Sequence, residues 1–431
     1  MQLPLLEDLP DPRGRRVLVR CDLNVPLSIA PDGTSTIDDD LRIRAAVPTL
    51  RWLLDAGAIV TACSHLGRPR GAPDATSDLA PVRERLASLV GGVTLLDNLR
   101  WSPGEEANDP AFVDELVAGQ DLYVDDAFGA AHRSHASIVG PPERLPSAAG
   151  RLLAREVEVL SGLLEAPARP FVAILGGSKV ADKLGVIEAL LQRVDTLCIG
   201  GAMCFTFLAA LGNTVGESIT EPDAVSTCQE LLDLDARIVL PTDLVVLGPG
   251  GRIGDPAAGG DVRQVGTSVL PDWMGLDIGP GTAAEFADII ADARTVLWNG
   301  PMGVFEDPRF QAGTVAVANA VADCRGYTVI GGGDSAAAAA RFGVADRIDH
   351  ISTGGGASLE LIERGDLPGL EALRASAERL GLGRRATAPA RGTLGGGATP
   401  ARETTPAGEA ARAGGTSSLG GTSPLGGPTP A

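Results

Sequence analysis

Phe171-Val-Ala-Ile-Leu-Gly-Gly-Ser-Lys-Val-Ala-Asp-Lys183 contains an apolar run, then a glycine pair, then the start of a helical pattern. Such a sequence predicts a buried strand that leads directly into a helix. Lys179 and Lys183 are four residues apart, which places both on one face of that helix. Helix N-termini attract anions through their free N–H groups, so the stretch predicts a phosphate site where the strand meets the helix.

These two lysines are the only ones in the chain, and the other 34 of its 36 basic residues are arginine. A compact ammonium on a flexible stem differs in chemistry from a planar guanidinium, so a chain that avoids lysine elsewhere is expected to need it here. The alternative is an exposed helix face on which lysine has survived. A single lysine would favour that alternative, whereas the only two of the chain favour a functional role.

The composition narrows the class of protein. Hydrophobic residues make up 44% of the chain and aromatic residues 3%, so its cores must consist mainly of Leu, Val, Ile and Ala. The net charge of −19 argues against nucleic acid or an anionic membrane as a partner. No basic region followed by an apolar core opens the sequence, and no apolar stretch approaches the roughly 20 residues that cross a bilayer. Because the six cysteines include no C-x-x-C pair, we expect a cytoplasmic protein with reduced core cysteines.

Short β-branched runs alternate with helical patterns along the chain, which predicts an α/β fold of parallel sheets covered by helices on both faces. The strands are expected at Arg16–Arg20, Ala58–Cys63, Val93–Leu96, Leu122–Asp125, Phe171–Leu175, Thr196–Ile199, Arg237–Leu240, Thr295–Trp298, Thr328–Ile330 and Ile348–Ile351. Helices are expected at Ala45–Asp55, Pro110–Gly119, Val180–Gln192, Ala283–Ala293, Thr314–Asp323 and Ala336–Phe342, among others.

A long helix over Gly150–Glu165 is expected to separate two domains, because the loops before it carry Arg and His and the loops after it carry glycine clusters. We therefore predict two doubly wound, Rossmann-like parallel-sheet domains that face a cleft, with the first domain and the joining helix at residues 1–165 and the second domain at 166–366. Residues 384–431 are mostly Gly, Ala, Pro, Thr and Ser without an aromatic residue, which predicts a disordered low-complexity tail.

Cationic side chains gather at the strand ends of the first half. Ligands of doubly wound sheets bind at the carboxyl ends of the strands. The residues that stand at or beside these ends are Arg42, His65, Arg68, Arg100, His132 and Arg133. In an acidic protein this set suits a small ligand with several phosphate or carboxylate groups, because arginine forks match those anions. The alternative, a local acidic partner for each arginine, accounts for one of them more easily than for the whole set.

Glycine clusters stand at the strand ends of the second half. They are Gly176–Lys179, Gly200–Met203, Trp298–Glu306, Gly331–Ser335 and Ser352–Ser358. Glycine lets the backbone approach a ligand, so successive N–H groups can hold phosphates. One such turn is often only a tight connection, but five at one sheet edge predict a phosphate-rich cofactor. Asp334 stands where it can cap a helix or reach a metal ion held by a nucleotide. Neither a P-loop nor a G-x-G-x-x-G fingerprint is present.

With these motifs the chain resembles phosphoglycerate kinase from about Gly14 to about Leu380. The matching motifs include Val19-Arg-Cys-Asp-Leu-Asn-Val-Pro26, Ser64-His-Leu-Gly-Arg-Pro69 and Trp298-Asn-Gly-Pro-Met-Gly-Val-Phe-Glu306. The others are Leu41–Pro48, Asp97–Trp101, Tyr123–Arg133, Gly176–Lys183, Gly275–Pro280, Gly331–Ser335 and Ser352–Ala357. The resemblance implies a glycolytic kinase that passes a phosphoryl group reversibly from 1,3-bisphosphoglycerate to ADP, giving 3-phosphoglycerate and ATP, with Mg²⁺ bound to the nucleotide.

The resemblance also implies roles for individual residues. The phosphoglycerate would be held by Asp22, Asn24, Arg42, His65, Arg68, Arg100, His132 and Arg133. The nucleotide would be held by Lys183, Gly200, Gly201, Gly275, Leu276, Asn299, Pro301, Val304, Glu306, Gly332, Gly333, Asp334 and Ser335, with Asp334 as the metal ligand. The catalytic residues would be Arg42, Lys179 and Lys183. A last helix at residues 367–383 would return to the first domain, and the protein is expected to be a monomer whose domains close over both substrates.

Three positions depart from the family pattern. Asp125 stands where the family usually has Asn, which adds a negative charge near the basic residues. Gly281 stands where a lysine is usual, so one cation near the nucleotide is expected to be missing. Ala202 takes the third place of a glycine run. Two rival functions remain at this stage, a non-catalytic scaffold, which would tend to lose Arg42 and Lys179, and a dehydrogenase, which would need the dinucleotide fingerprint.

Overall fold

Two parallel sheets, one in each half of the chain, form the framework of the computed structural model, which describes residues 2–30, 35–234 and 237–381. Both sheets belong to one unit that extends over residues 1–384. The predicted disordered tail, residues 384–431, lies outside the described residues.

Within the described residues two large parallel sheets are accompanied by two small antiparallel ones. The strands are β1 (Arg16–Cys21), β2 (Leu27–Ile29), β3 (Ser35–Ile37), β4 (Ile59–Cys63), β5 (Val93–Leu95), β6 (Leu122–Asp126), β7 (Ser147–Ala149), β8 (Phe171–Leu175), β9 (Thr196–Ile199), β10 (Ile238–Val239), β11 (Leu244–Leu247), β12 (Val262–Val265), β13 (Met274–Ile278), β14 (Thr295–Asn299), β15 (Tyr327–Gly331) and β16 (His350–Ile351). The parallel sheets have the orders β5-β4-β1-β6-β7 and β10-β9-β8-β14-β15-β16, and the antiparallel ones are β12-β11-β13 and β2-β3.

Helices connect most of these strands. They are α1 (Leu41–Asp55), α2 (Ala80–Leu89), α3 (Pro103–Glu106), α4 (Pro110–Val117), α5 (Ala136–Arg144), α6 (Arg151–Glu165), α7 (Leu184–Leu191), α8 (Cys204–Ala210), α9 (Val225–Leu234), α10 (Pro280–Ala291), α11 (Ala312–Asp323), α12 (Gly333–Arg341), α13 (Gly356–Arg364) and α14 (Pro368–Leu380). In the described ranges none of them has both the length and the apolar character that crossing a membrane requires.

Pairing in register brings the strand ends of each parallel sheet to one level. In the second sheet Leu175 pairs with Asn299, which pairs with Gly331. In the first sheet Arg20 pairs with both Cys63 and Asp125. The strand order reverses between β8 and β14 and between β1 and β6. A crevice for ligands forms at such switch points. In each sheet the loops that follow the two strands at the switch point therefore lie side by side.

The predicted α/β class with two parallel sheets is confirmed. Strands β8 and β14 are buried at every position, as expected for parallel strands with helices on both faces. The sequence did not predict β7 or the β12-β11-β13 sheet. Strand β7 reads Ser-Ala-Ala and has no β-branched residue, and three of the four residues of β12 are exposed. Neither strand therefore carries the apolar pattern that identifies a strand from sequence.

Helix α6 lies between the two halves of the chain. It packs against α1 and β6 from the first half and against α13 from the second. Leu153, Val157 and Leu160 on its buried face belong to one hydrophobic cluster that contains residues of both parallel sheets. Helix α14 packs against α5 and β7, and Arg379 Nη2 donates to the carbonyl of Pro142 at 2.6 Å. The exact domain limits at residues 165 and 366 stay a prediction.

The helix after β8 begins later than predicted. Val180 is buried in the core, a 3₁₀ turn covers Ala181–Lys183, and α7 begins only at Leu184. Lys179 therefore precedes the helix, and the prediction that the two lysines share one helix face is wrong. The N–H groups of Val180 and Ala181 are also unavailable to an anion, because both donate to the carboxylate of Glu221.

A buried carboxylate on α6 holds the loop that follows β16. Glu156 is fully buried, and its Oε1 accepts hydrogen bonds from the Thr353 N–H at 2.7 Å and from Thr353 Oγ1 at 2.9 Å. Its Oε2 lies 2.8 Å from His350 Nε2. The carbonyl of Thr353 in turn accepts from Arg42 Nη2 at 3.3 Å. Glu156 thereby connects the joining helix to residues of both halves of the chain.

Two adjacent carboxylates lie where β6 ends, beside the N-terminus of α6. Asp126 Oδ1 accepts from the N–H of Leu152 at 2.9 Å and caps the helix, and a Cβ at Gly150 would lie 2.2 Å from that oxygen, so only glycine fits there. Burial raises the pKa of Asp126 to about 7. Asp125 is also fully buried; its Oδ1 accepts from the Ala127 N–H, while its Oδ2 has no partner in the described residues.

We expect Glu156→Ala to lower the free energy of unfolding by about 3 kcal/mol, because three hydrogen bonds from the part-buried Thr353 and His350 lose their acceptor. Glu156→Gln keeps an oxygen for Thr353 and is the matched control, with an expected loss less than half as large. Urea denaturation followed by circular dichroism measures both. A Glu156→Ala midpoint equal to that of the unmodified protein would contradict this role for Glu156.

Asp125→Asn is expected to stabilise the protein at neutral and alkaline pH. Burial raises the pKa of Asp125 to about 6, although the Ala127 N–H and the charge of Arg20 both lower it. Above that pH the ionised Asp125 therefore lowers the stability of the folded state by about 2–3 kcal/mol. The raised pKa means that this cost is absent below about pH 4 and complete above about pH 7. Thermal unfolding from pH 4 to pH 8 should show a growing advantage of the variant. Asp272→Asn, which removes an exposed carboxylate, is the control, and a pH-independent difference for Asp125→Asn would contradict the assignment.

Candidate active site

A cavity of about 280 Å³, here called the basic cavity, opens at the strand ends of the first sheet. Its lining includes Gly67, Gly129 and Gly354–Gly356 together with all eight residues predicted to hold phosphoglycerate: Asp22, Asn24, Arg42, His65, Arg68, Arg100, His132 and Arg133. The sequence prediction that these side chains converge is therefore correct. The glycines at 354–356 come from the second half of the chain, so both halves contribute to this cavity.

Arg42 is paired with a carboxylate inside the basic cavity. Its Nη1 lies 3.1 Å from both carboxylate oxygens of Asp22 and 3.2 Å from the carbonyl of Asn24. Asp22 is buried, and a Cβ on Gly129 would lie 2.2 Å from its Oδ2, so the close approach requires glycine at this position. Arg42 is about one-third exposed. It thus keeps a fixed position while part of its guanidinium remains open to a ligand.

His65 is held as a neutral hydrogen-bond donor. It is buried, and its Nδ1 lies 3.0 Å from Nη2 of Arg20, which can only donate. Nδ1 is therefore the acceptor and Nε2 carries the proton. Burial, reinforced by the charges of Arg20 and Arg100, holds the pKa of His65 well below its ordinary value. Sequence reasoning did not single out Arg20, because an arginine inside an apolar strand shows no pattern of its own.

The other cations of the basic cavity differ in their pairing. Arg100 is buried, donates to the carbonyl of Gly67 at 2.7 Å and lies 3.2 Å from Glu106. Within the described residues the side chains of Arg68 and Arg133 form no hydrogen bond or ion pair, and both residues are exposed. The alternative of a local acidic partner for every arginine is therefore wrong, and two positive charges face the cavity unpaired.

A second cavity of about 270 Å³, here called the glycine cavity, lies at the strand ends of the second sheet. It is lined by Gly177–Lys179, Asp182, Lys183, Asn299, Gly300, Gly332–Ser335, Gly355, Gly356 and Leu359. Gly355 and Gly356 line both this cavity and the basic cavity. The N-terminus of α13 therefore forms the boundary between them.

The two lysines of the glycine cavity have different surroundings. Lys183 Nζ is held by three oxygens, the carbonyl of Gly176 at 2.6 Å and the side-chain and main-chain oxygens of Asn299 at 2.8 and 3.4 Å. Burial lowers the pKa of Lys183 to about 8, although Asp334 and Asp182 oppose the shift. Lys179 is exposed, and among the described residues its ammonium has no hydrogen-bond or ion-pair partner. Lys183 thus fixes the loop, while Lys179 is free to meet a ligand.

The turn Gly332–Ser335 begins helix α12 at the edge of the glycine cavity. Gly332 has a φ of 93°, a backbone conformation that favours glycine. Ser335 is buried, and its Oγ accepts from the N–H of Gly300 at 2.5 Å, which joins the ends of β14 and β15. The N–H groups at the start of α12 make this edge of the cavity suitable for phosphate.

A third cavity of about 220 Å³, here called the apolar cavity, continues from the glycine cavity, with which it shares Gly177, Ser178 and Asp334. Seven predicted nucleotide residues line it: Gly201, Gly275, Leu276, Pro301, Val304, Glu306 and Asp334. Its lining also contains residues that sequence reasoning missed: Cys204, Phe205, Ile219, Ile253, Asp277, Ile278 and Met302. Cys204 and Phe205 on α8 and Ile219 and Ile253 in two loops share no motif with the others, so only the fold brings them together.

Gly200 is absent from the described lining of all three cavities. A Cβ at this position would lie 2.5 Å from the sulfur of Met302. The role of this glycine in the structure is therefore close packing beneath the cavity. Gly275 likewise permits close packing, because a Cβ there would lie 2.1 Å from the ring of Phe205.

The three departures from the family pattern have different positions. Gly281 lies outside the described lining of the three cavities, and its N–H donates to Asp243 at 2.9 Å at the start of α10, while an effect of its missing lysine on the nucleotide site stays a prediction. Ala202 does line the apolar cavity. Asp125 is buried beneath the basic cavity and is not part of its lining.

The described residues contain no group of three or more His, Cys, Asp or Glu side chains that would hold a metal ion by themselves. Asp334 and Asp182 are nevertheless exposed and line the glycine cavity. Mg²⁺ that travels with a nucleotide needs only one or two carboxylates, since phosphate and water oxygens supply the rest. The donor set is therefore compatible with a magnesium nucleotide. Asp334, which lines both the glycine cavity and the apolar cavity, is the candidate ligand.

Comparisons with known proteins agree with this geometry. The family model described as phosphoglycerate kinase matches residues 6–93 and 89–365. A phosphoglycerate kinase of Parafrankia sp. (strain EAN1pec) is 52% identical over 395 residues, covering 84% of this chain and 97% of that protein. A phosphoglycerate kinase of Thermus thermophilus is 48% identical over 393 residues, covering 84% of this chain and 98% of its own length.

Solved structures lead to the same family. The phosphoglycerate kinase from Coxiella burnetii matches with a TM-score of 0.77 at 34% identity, covering 87% of this chain and 100% of that one. The enzyme from Pyrococcus horikoshii OT3 matches with a TM-score of 0.73 at 31% identity, covering 88% and 100%. Since the family model and the relatives both extend over most of the sequence, this chain belongs to the phosphoglycerate kinase family.

Proposed function

We propose that the three joined cavities hold the phosphoglycerate, the transferred phosphoryl group and the nucleotide in that order. As a member of this family the chain is a glycolytic kinase that transfers a phosphoryl group between 1,3-bisphosphoglycerate and ADP. The observation that supports the order is the shared lining. Gly355 and Gly356 join the basic and glycine cavities, and Asp334 joins the glycine and apolar cavities.

The basic cavity suits the phosphoglycerate because its donors match the charges of that substrate. The unpaired guanidinium groups of Arg68 and Arg133 line the cavity in exposed positions and can hold the phosphate. His65 Nε2–H can donate to an oxygen without adding a positive charge. Asp22 keeps Arg42 oriented and can accept from a substrate hydroxyl.

Phosphoryl transfer to an ionised phosphate or carboxylate oxygen needs no general base. Catalysis then depends on in-line positioning and on neutralising the negative charge of the equatorial oxygens. Lys179 supplies a free ammonium in the glycine cavity, and Arg42 supplies a guanidinium beside the shared glycines. The N–H groups at the start of α13 add fixed dipoles at the boundary between the two cavities.

The nucleotide is proposed to lie with its base in the apolar cavity and its phosphates in the glycine cavity. Leu276, Val304 and Ile253 provide apolar contact for a base, and exposed Glu306 can accept from ribose hydroxyls. Mg²⁺ bound with the nucleotide would be held by Asp334, and it would neutralise phosphate charge during transfer. Lys183 lines the glycine cavity and fixes the adjoining loop through its hydrogen bond to the carbonyl of Gly176.

Closure of the two halves would exclude water from the acyl phosphate. The contact of Arg42 with the carbonyl of Thr353 already joins residues on both sides. We also propose a cytoplasmic location, consistent with six free cysteines, of which five are buried. The high net negative charge supports the absence of a nucleic-acid or membrane partner, and the monomeric state stays a prediction.

The reaction is tested with ATP, Mg²⁺ and 3-phosphoglycerate, by following the formation of ADP in a coupled assay. We expect turnover that requires all three components and that stops when a chelator removes Mg²⁺. NADH, as a ligand for a dehydrogenase, is expected not to bind. Turnover that is independent of 3-phosphoglycerate would contradict the proposed phosphoryl transfer.

Lys179→Ala is expected to lower kcat at least about a hundredfold while the dissociation constant for ATP changes little, because a charge stabiliser of the transferred group is lost. Lys179→Arg restores the charge on a planar group and should recover only part of the activity. Steady-state kinetics and calorimetric titration with ATP give the two quantities. Near-normal turnover of Lys179→Ala would remove Lys179 from the proposed mechanism.

A further inference from the structure

The backbone next to Lys179 is held by a carboxylate that neither the sequence motifs nor the proposed mechanism includes. Glu221 Oε2 accepts from the N–H of Val180 at 2.5 Å and from the N–H of Ala181 at 3.1 Å. Glu221 belongs to the loop between α8 and α9, outside the segments that line the glycine cavity. One oxygen of one side chain thus holds the two peptide groups that directly follow Lys179.

Glu221 is itself anchored to a helix of the second half. Its backbone N–H donates to Oγ1 of Thr206 at 3.2 Å, and Thr206 is buried on α8. Glu221 also precedes the 3₁₀ turn Pro222–Ala224, which leads directly into α9. The carboxylate is therefore carried by packed elements, and its position relative to α8 is defined.

The ammonium of Lys179 depends on its backbone for its position. Its side chain has no partner among the described residues, so no contact of its own orients it. Besides main-chain hydrogen bonds of Gly176 and Gly177, the loop around it is held at three points: Lys183 binds the carbonyl of Gly176, Val180 is buried in the core, and Glu221 binds the following N–H groups. Of these three, only the Glu221 contact comes from a polar side chain outside the loop.

The same contact changes which donors a phosphate can meet. The N–H groups of Val180 and Ala181 would otherwise be free donors at the start of the turn before α7. Because Glu221 occupies them, these two N–H groups are not available to an anion in this part of the glycine cavity, whereas the Lys179 ammonium is. A carboxylate so close to a phosphate path is electrostatically unfavourable for the substrate, so its presence needs a compensating gain in geometry.

We propose that Glu221 is a positioning residue that sets the place of Lys179 by clamping the N–H groups of Val180 and Ala181. The inference rests on the proposed role of Lys179 in the transfer. A displacement of a charge stabiliser by about 1 Å can lower turnover roughly a hundredfold, while substrate binding by other groups is retained. Loss of the clamp should therefore affect kcat much more than KM.

Two conservative variants of Glu221 distinguish the effect of side-chain length from the effect of charge. Glu221→Gln keeps the side-chain length and can present its amide oxygen to both N–H groups, whereas Glu221→Asp keeps the charge but withdraws the oxygens by one methylene. We expect Glu221→Gln to retain most of the turnover and Glu221→Asp to lower kcat at least about tenfold, with KM for ATP and 3-phosphoglycerate within about twofold. The reverse order, activity retained by Asp and lost by Gln, would overturn the positioning role.

A double-mutant cycle tests whether Glu221 acts through Lys179. Glu221→Asp introduced into Lys179→Ala should cause no further loss of kcat, because the group that it positions is already absent. An equal loss in both backgrounds, or a loss that follows only the thermal stability of the variants, would mean that Glu221 is merely structural. If Lys179→Ala alone keeps normal turnover, the proposed role of Lys179 fails; if Lys179→Ala is impaired while Glu221→Asp is not, only the present inference fails.

Discussion

The buried carboxylate of Glu156 is the contact on which the arrangement of the cavities depends. It stands on α6, the helix between the two halves, and accepts from Thr353 and His350 in the loop after β16. That loop continues into Gly355 and Gly356, which line both the basic and the glycine cavities. A buried carboxylate without partners is costly, so separating the loop from the helix is unfavourable. The contacts of Glu156 therefore help to fix the loop that lines both cavities.

Charge pairing also governs the basic cavity. In a protein of net charge −19, Arg42 is fixed by the buried carboxylate of Asp22, while Arg68 and Arg133 stand unpaired. His65 is kept neutral by burial and by the guanidinium groups around it. The cavity thus combines fixed and free cations with a neutral donor, and this mixture suits a small polyanion without crowding like charges.

Much of the site was predictable because parallel sheets bring the carboxyl ends of their strands to one edge. His65, Arg100 and Arg133 follow separate strands along the sequence, yet they line one cavity because those strands belong to one parallel sheet of order β5-β4-β1-β6-β7. The lysine pair shows the limit of such reasoning. A spacing of four residues predicts a shared helix face only if the helix has begun, and the burial of Val180 delays it until Leu184.

Local patterns along the chain were enough to establish the α/β class, the place of the joining helix and the cations that line the basic cavity, since hydrophobic periodicity and strand-end motifs are local properties. Other features became visible only in the folded molecule: Glu221 occupies the N–H groups beside Lys179, Arg20 orients His65, and Gly281 lies away from the nucleotide cavities. These are contacts between segments far apart in the chain. Their partners are selected by packing, and no local pattern in the sequence records them.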